Sequence, residues 1–167
     1  EAEMLFFAAM AAAKKSLNLT TAYFAPRDAV VAALGQAVER GVEVRLLLNG
    51  PHGDKQLVRH SGRRTYRTLL ESGVRIFEYQ RTMVHAKILT VDGAWASTGS
   101  INVDNRSFAL NDEMNASIFD RGYTAEFDSH FEEDLADSEE MELKRWKRRP
   151  WRSRAFEAVG DVVREEL

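Results

Sequence analysis

Residues 84–102 run Val84-His85-Ala86-Lys87-Ile88-Leu89-Thr90-Val91-Asp92-Gly93-Ala94-Trp95-Ala96-Ser97-Thr98-Gly99-Ser100-Ile101-Asn102. Val84 to Val91 and Ala94 to Thr98 are rich in aliphatic and β-branched residues, which predicts two strands. Asp92-Gly93 between them is a strong signal for a two-residue hairpin turn. Side chains two apart on a strand share a face, so His85 and Lys87 offer an imidazole and an ammonium to one substrate. Asp92 has the opposite parity and reads as a turn residue rather than a catalytic one. The returning strand brings Gly99, Ser100 and Asn102 back beside His85, where a hydroxyl and an amide can meet phosphate oxygens.

Outward from the hairpin, strands alternate with helices. A helix is predicted from about Glu3 to Ser16, then a strand over Leu17 to Phe24. Pro26 opens a second helix that Gly41 closes. Val42 to Leu48 is apolar except for Glu43 and Arg45, as suits a strand covered on both faces, hence an α/β architecture. Asp54 is positioned to cap a helical stretch that breaks near Ser61-Gly62 and ends at Gly73, before a strand from Val74 to Tyr79. A strand near Met114 to Phe119 and a helix over Thr124 to Leu135 follow the hairpin.

With 167 residues, 44% of them apolar, the chain can bury a normal core in a single domain. No window approaches eighteen apolar residues, the Met4 to Ala13 stretch reads as a buried helix, and no cysteine is present. The chain opens at Glu1 inside a helical pattern, so a piece of a longer protein is expected. A protonated lysine has no lone pair and no second histidine lies at ligand spacing from His85, so neither a metal nor a cofactor is called for. Phosphate charge falls to Lys87 and amide donors instead.

The pattern HxKxxxxD, followed after six residues by GSxN, resembles the phospholipase D superfamily motif. Asp104-Asn105-Arg106-Ser107-Phe108 and Asn111-Asp112-Glu113 are similar to its cardiolipin synthase branch, as are Tyr23-Phe24-Ala25-Pro26 and Trp146-Lys147-Arg148-Arg149-Pro150. The fold this implies is a single phospholipase D-like domain over 1–167, with a central mixed β-sheet flanked by helices on both faces. The mechanism it implies needs two motif copies, one histidine attacking phosphorus and the other protonating the leaving alkoxide. This chain carries one copy, at 85–102; His52, His60 and His130 are followed two residues later by Asp54, Gly62 and Glu132. The matched segments belong to the C-terminal half of two-motif synthases, which implies His85 as general acid and base and a phosphohistidine on the missing half. In a homodimer either copy takes either role. The resemblance also implies Glu113 as the carboxylate against His85, with Asp112 and Asp120 as rivals, and Lys87, Ser100 and Asn102 as phosphate ligands. Asp92 and Gly99 are the structural members of the motif.

Charge is uneven although the net is −3. Nine acids and no Lys or Arg lie between Glu126 and Glu142, and seven Lys or Arg among the eleven residues Lys144 to Arg154, with Trp146 and Trp151 interleaved. Two solvated segments account for this; an interfacial belt for an anionic membrane surface is the alternative. Lys55, Arg59, Arg63, Arg64 and Arg67 form a second basic group suited to an anionic headgroup or to DNA. Asp104 and Arg106 are expected to pair, and His52 is a candidate for the rim of the site.

Two functions of different class fit. One is phosphatidyl transfer at the cytoplasmic side of a membrane, converting phosphatidylglycerol to cardiolipin, with this chain supplying half of the site. The other is a single-motif homodimeric phosphodiesterase or endonuclease, disfavoured by the acidic balance. A non-catalytic half that completes or regulates a partner's site is the remaining possibility.

Overall fold

The computed structural model describes residues 2–149. Helix α1 (Ala2–Ala12) leads into β1 (Ser16–Thr21), followed by α2 (Asp28–Glu39), β2 (Glu43–Asn49), α3 (Gln56–Arg63), α4 (Tyr66–Glu71) and β3 (Arg75–Tyr79). The hairpin strands are β4 (Ile88–Val91) and β5 (Trp95–Gly99). A single π-helical turn at Arg106–Leu110 precedes β6 (Asn115–Ile118), α5 (Arg121–Ala136), β7 (Ser138–Glu140) and α6 (Leu143–Lys147). The strands form one mixed sheet in the order β6-β5-β4-β1-β2-β3-β7. β1, β2 and β3 are parallel, whereas β4, β5, β6 and β7 each run antiparallel to a neighbour.

Strand periodicity divides the sheet into two faces. Leu17 and Leu19, Val44, Leu46 and Leu48, Ile76, Leu89 and Val91 point to one side, into the main core with Phe6, Met10, Val30, Leu34 and Leu69 from the helices. Leu47 and Phe77 point to the other, where Phe131 of α5 covers them. That second face is the more polar. Asn18 and Thr90 both donate to the Asp128 carboxylate, and Arg45 pairs with Glu132 and stacks on Phe131. Helices therefore cover both faces, as expected.

The predicted hairpin is present, but its first strand is shorter than expected. Thr20 pairs with Ile88, and β1 ends at Thr21. Residues 84–87 thus run extended beyond the pairing reach of β1, with backbone groups of Val84 held by a side chain. The buried Asn49 amide donates to Ala22 O at 2.8 Å and Val84 O at 3.0 Å, and accepts from Val84 N at 2.8 Å. One side chain at the end of β2 replaces the missing ladder.

Asp92 is a turn residue with φ of 55°, and it has a second task. Its carboxylate accepts from the backbone N–H groups of Lys14, Lys15 and Ser16 at 2.7–3.2 Å, clamping the hairpin onto the start of β1. Burial works to raise the Asp92 carboxyl pKa, but these amides outweigh it and hold the group below the usual carboxylate value. A depressed folded-state pKa contributes stability that is present above the unfolded value and lost as pH falls through the folded one. Asp92→Asn is therefore expected to destabilise the domain at about pH 7, and by less at about pH 3, below the unfolded aspartate value. Urea unfolding at both pH values checks this; a pH-independent difference contradicts it.

Three local expectations are corrected. Asp54 is not the N-cap of α3, a place that falls to Lys55; among the described residues its carboxylate accepts from the Tyr23 hydroxyl. Asp104 does not pair with Arg106 among the described residues; it is buried and accepts from Ser107 N at 2.8 Å, bracing the π-helical turn, while Arg106 is exposed. Trp146 is no membrane anchor. It is buried 5.0 Å from the Tyr66 ring, with Arg63 and Arg149 stacked over it. Nearby, Arg145 pairs with Glu139 and Lys147 with Glu71, so the described part of the basic segment follows the solvated account. Trp151, Arg152 and Arg154 lie outside the described residues.

Candidate active site

The site forms where the 84–87 segment, the end of β5 and the loop after β1 converge. His85 is exposed and Lys87 buried, yet their functional groups meet. The Lys87 ammonium is 3.1 Å from both ring nitrogens of His85 and donates to the His85 carbonyl at 2.8 Å. Burial lowers the Lys87 pKa, against the charges of Glu113, Asp104 and Asp54, which raise it. Those three carboxylates favour the protonated form of Lys87, although burial, the larger effect, leaves the pKa below the usual lysine value.

Gly99, Ser100 and Asn102 hold the other wall. A Cβ on Gly99 would overlap the Met114 carbonyl and the Asn115 side chain, so only glycine lets β5 approach β6 this closely. Ser100 Oγ accepts from Met114 N at 3.1 Å, and Asn115 Oδ1 accepts from Ile101 N. Gly99→Ala is expected to cost about 1–3 kcal/mol by overpacking and to displace Ser100; thermal unfolding measures it, and an unchanged midpoint contradicts it. Asn102 is buried. Its Oδ1 accepts from Tyr23 N at 3.2 Å, and Val103 N donates to Tyr23 O, which joins the motif to the end of β1. Ser100 and Asn102 thus brace backbone, a tie that residue spacing does not reveal.

Glu113 is drawn to the site from the far side. Its carboxylate accepts from Ser107 Oγ at 2.8 Å and Asn111 Nδ2 at 3.2 Å. Burial pushes its pKa up, but hydrogen bonds from Ser100, Ser107 and Asn111, with the Lys87 charge, bring it below the usual value. Among the described residues no hydrogen bond joins Glu113 to His85; the carboxylate faces Lys87 electrostatically instead. Asp112 is exposed, and Asp120 accepts from Tyr123 N as the cap of α5.

Two residues at the site had no role assigned from the sequence. Tyr23 meets the His85 ring edge-on, with centroids 6.3 Å apart and planes at 82°. Asn49 positions the segment that carries His85, as described above. The signal for Asn49 was available: a polar residue ending the buried run Val44 to Leu48, directly before Gly50-Pro51. The predicted anion-guiding cluster is largely spent internally. Arg59 and Arg63 pair with the buried Glu78, and Arg67 with Glu71, while Lys55 lies over the Tyr23 ring. His52 is exposed in the turn after β2.

The family described as "Cardiolipin synthase, PLD-like domain" matches residues 6–135, a span that includes β1 to β6 and every site residue above. The chain belongs to this family. It is 38% identical over 155 residues to cardiolipin synthase 2 of Bacillus anthracis, covering 93% of this chain and 30% of that protein. It is 39% identical over 160 residues to the cardiolipin synthase of Alkalihalophilus pseudofirmus, covering 95% and 31%. The chain thus spans under a third of the length of these relatives. In fold it is similar to Nuc, a phospholipase D family member from Salmonella typhimurium, with a TM-score of 0.76 at 21% identity, covering 85% of this chain and 91% of that one. A phosphatidylserine synthase from Haemophilus influenzae gives 0.66 at 18% identity, covering 84% and 37%. This phospholipase D-like domain carries the motif with its histidine at the surface.

Proposed function

We propose that this cardiolipin synthase-type domain supplies one half of a phosphatidyl-transfer site, the other half being a second motif copy in the parent protein. The meeting of the exposed His85 with the buried Lys87 carries this reading. Lys87, supported by Glu113, Asp104 and Asp54, holds positive charge where the five-coordinate phosphorus gains negative charge. On this reading the Asn102 Nδ2 group, on a side chain fixed by its bond from Tyr23 N, is a second donor to the phosphate. His85 protonates the leaving glycerol alkoxide while the partner histidine takes the phosphatidyl group. It then accepts the proton of a second phosphatidylglycerol, yielding cardiolipin. Glu113 acts on this chemistry through Lys87, and no metal or cofactor takes part.

On this reading the domain works at the cytoplasmic side of a membrane, held there by other parts of the parent protein. No helix among the described residues is long and apolar enough to cross a membrane. The test is to supply phosphatidylglycerol vesicles to the protein carrying both motif copies, and to quantify cardiolipin and glycerol. Equimolar release is expected. Glycerol release with phosphatidic acid as the lipid product would turn the reading to hydrolysis, and no turnover would overturn it.

A further inference from the structure

The loop between β2 and α3 brings Asp54 and Lys55 against Tyr23. The Tyr23 hydroxyl donates to the Asp54 carboxylate, 3.1 and 3.0 Å from its two oxygens. The Lys55 ammonium lies 4.4 Å over the Tyr23 ring, and that ring meets His85. Asp54 and Lys55 are both exposed. Asp54 is also near enough to Lys87 to act on its charge.

A carboxylate in this position has a cost if the site only binds phosphate, since it repels an anionic diester. Asn102 Oδ1 already accepts from Tyr23 N, and the donors assigned to the phosphate, the Lys87 ammonium and the Asn102 Nδ2 group, cannot hold an incoming hydroxyl by its proton. Asp54 can. After accepting one bond from Tyr23 it retains lone pairs, and the Tyr23 oxygen, having given its own proton to Asp54, is likewise an acceptor. Lys55 offsets the repulsion felt by an anionic lipid.

We infer that Tyr23 and Asp54 recognise the acceptor alcohol and select a polyol, one hydroxyl bonding Asp54 while its neighbour is presented beside His85. This rests on the transferase reading above and adds to it the residues that select the acceptor. In the transfer step the presented hydroxyl oxygen bonds to phosphorus. The bond from phosphorus to the partner histidine breaks with its electron pair returning to that ring, and the hydroxyl proton passes to His85.

The experiment uses the protein with both motif copies, phosphatidylglycerol vesicles, and two acceptors differing by one hydroxyl, propylene glycol and n-propanol. The ratio of the two phosphatidyl-alcohol products is read by mass spectrometry. The unmodified protein is expected to favour the diol, and Asp54→Ala to lower the ratio about tenfold, the scale of discrimination one hydroxyl-binding group supplies. Asp54→Asn, which keeps an acceptor oxygen, is expected to retain more of the ratio than Asp54→Ala. An equal fall for both alcohols, or an unchanged ratio, overturns the acceptor assignment and leaves the transferase reading standing. No phosphatidyl release by the unmodified protein overturns both.

Discussion

His85→Ala in the protein carrying both motif copies is expected to abolish turnover, with a loss on the order of 10⁴-fold or more in kcat, at nearly unchanged stability. On the proposed mechanism the loss is large because the side chain transfers a proton at each half of the reaction, and no neighbour among the described residues can replace it: Lys87 is buried with its ammonium turned to the His85 carbonyl, and Glu113 is committed to Ser107 and Asn111. Stability is spared because the imidazole is exposed and, among the described residues, meets only Lys87 and Tyr23, so the change should stay within about 0.5 kcal/mol. Product analysis beside a melting curve checks both halves. Cardiolipin formation at a rate near that of the unmodified protein would remove His85 from the chemistry. A collapsed melting curve would make it a structural residue.

Glu78→Ala is expected to be the most damaging single change to the fold. Glu78 is 3% exposed on β3, and its oxygens lie 2.6–2.8 Å from Arg59 and Arg63. Arg63 also stacks on Tyr66 and Trp146, so the three ions tie β3, α3, α4 and α6 together. Removing the carboxylate leaves two guanidinium groups in largely buried surroundings, a loss of about 3–5 kcal/mol. Arg59 Nε is already buried without a partner among the described residues, so it has no alternative acceptor to turn to. At this chain length the loss lowers Tm by about 10 °C. Glu71→Ala is the control: the exposed Glu71 meets Arg67 and Lys147 at 3.2 and 2.9 Å, and its loss should scarcely move the midpoint. Equal effects from the two changes would show that burial of Glu78 does not set its worth.

The pattern of strands and helices was legible because the sheet is covered on both faces and the turns carry strong punctuation: Gly41 and Gly73 at positive φ after α2 and α4, and Asp92-Gly93 in the hairpin. His85 and Lys87 were legible because their spacing alone puts imidazole and ammonium together. What escaped depends on contacts distant in sequence. Asn49 reaches Val84 across 35 positions, and Asp92 reaches residues 14–16 across 76–78. Neither leaves a periodic trace. Trp146 misled for a related reason: among Lys and Arg an indole looks interfacial, and only the fold shows Tyr66 waiting beneath it. The short β7 and the π-helical turn were missed because three- and five-residue elements carry too little pattern to register.

The position of β1 also sets an order of assembly. β1 lies between β2, which follows it soon in the chain, and β4, which comes some seventy residues later. As synthesis proceeds, β1, β2 and β3 with their helices can condense into a parallel half-sheet while the far edge of β1 is still open. That edge is a ready template for intermolecular strand pairing until the hairpin arrives and the Asp92 carboxylate closes on residues 14–16. The segment bearing His85 travels with the hairpin. His85 therefore reaches its place after the parallel half-sheet, so on this order a nascent or partly folded chain holds part of its core before it holds a candidate site.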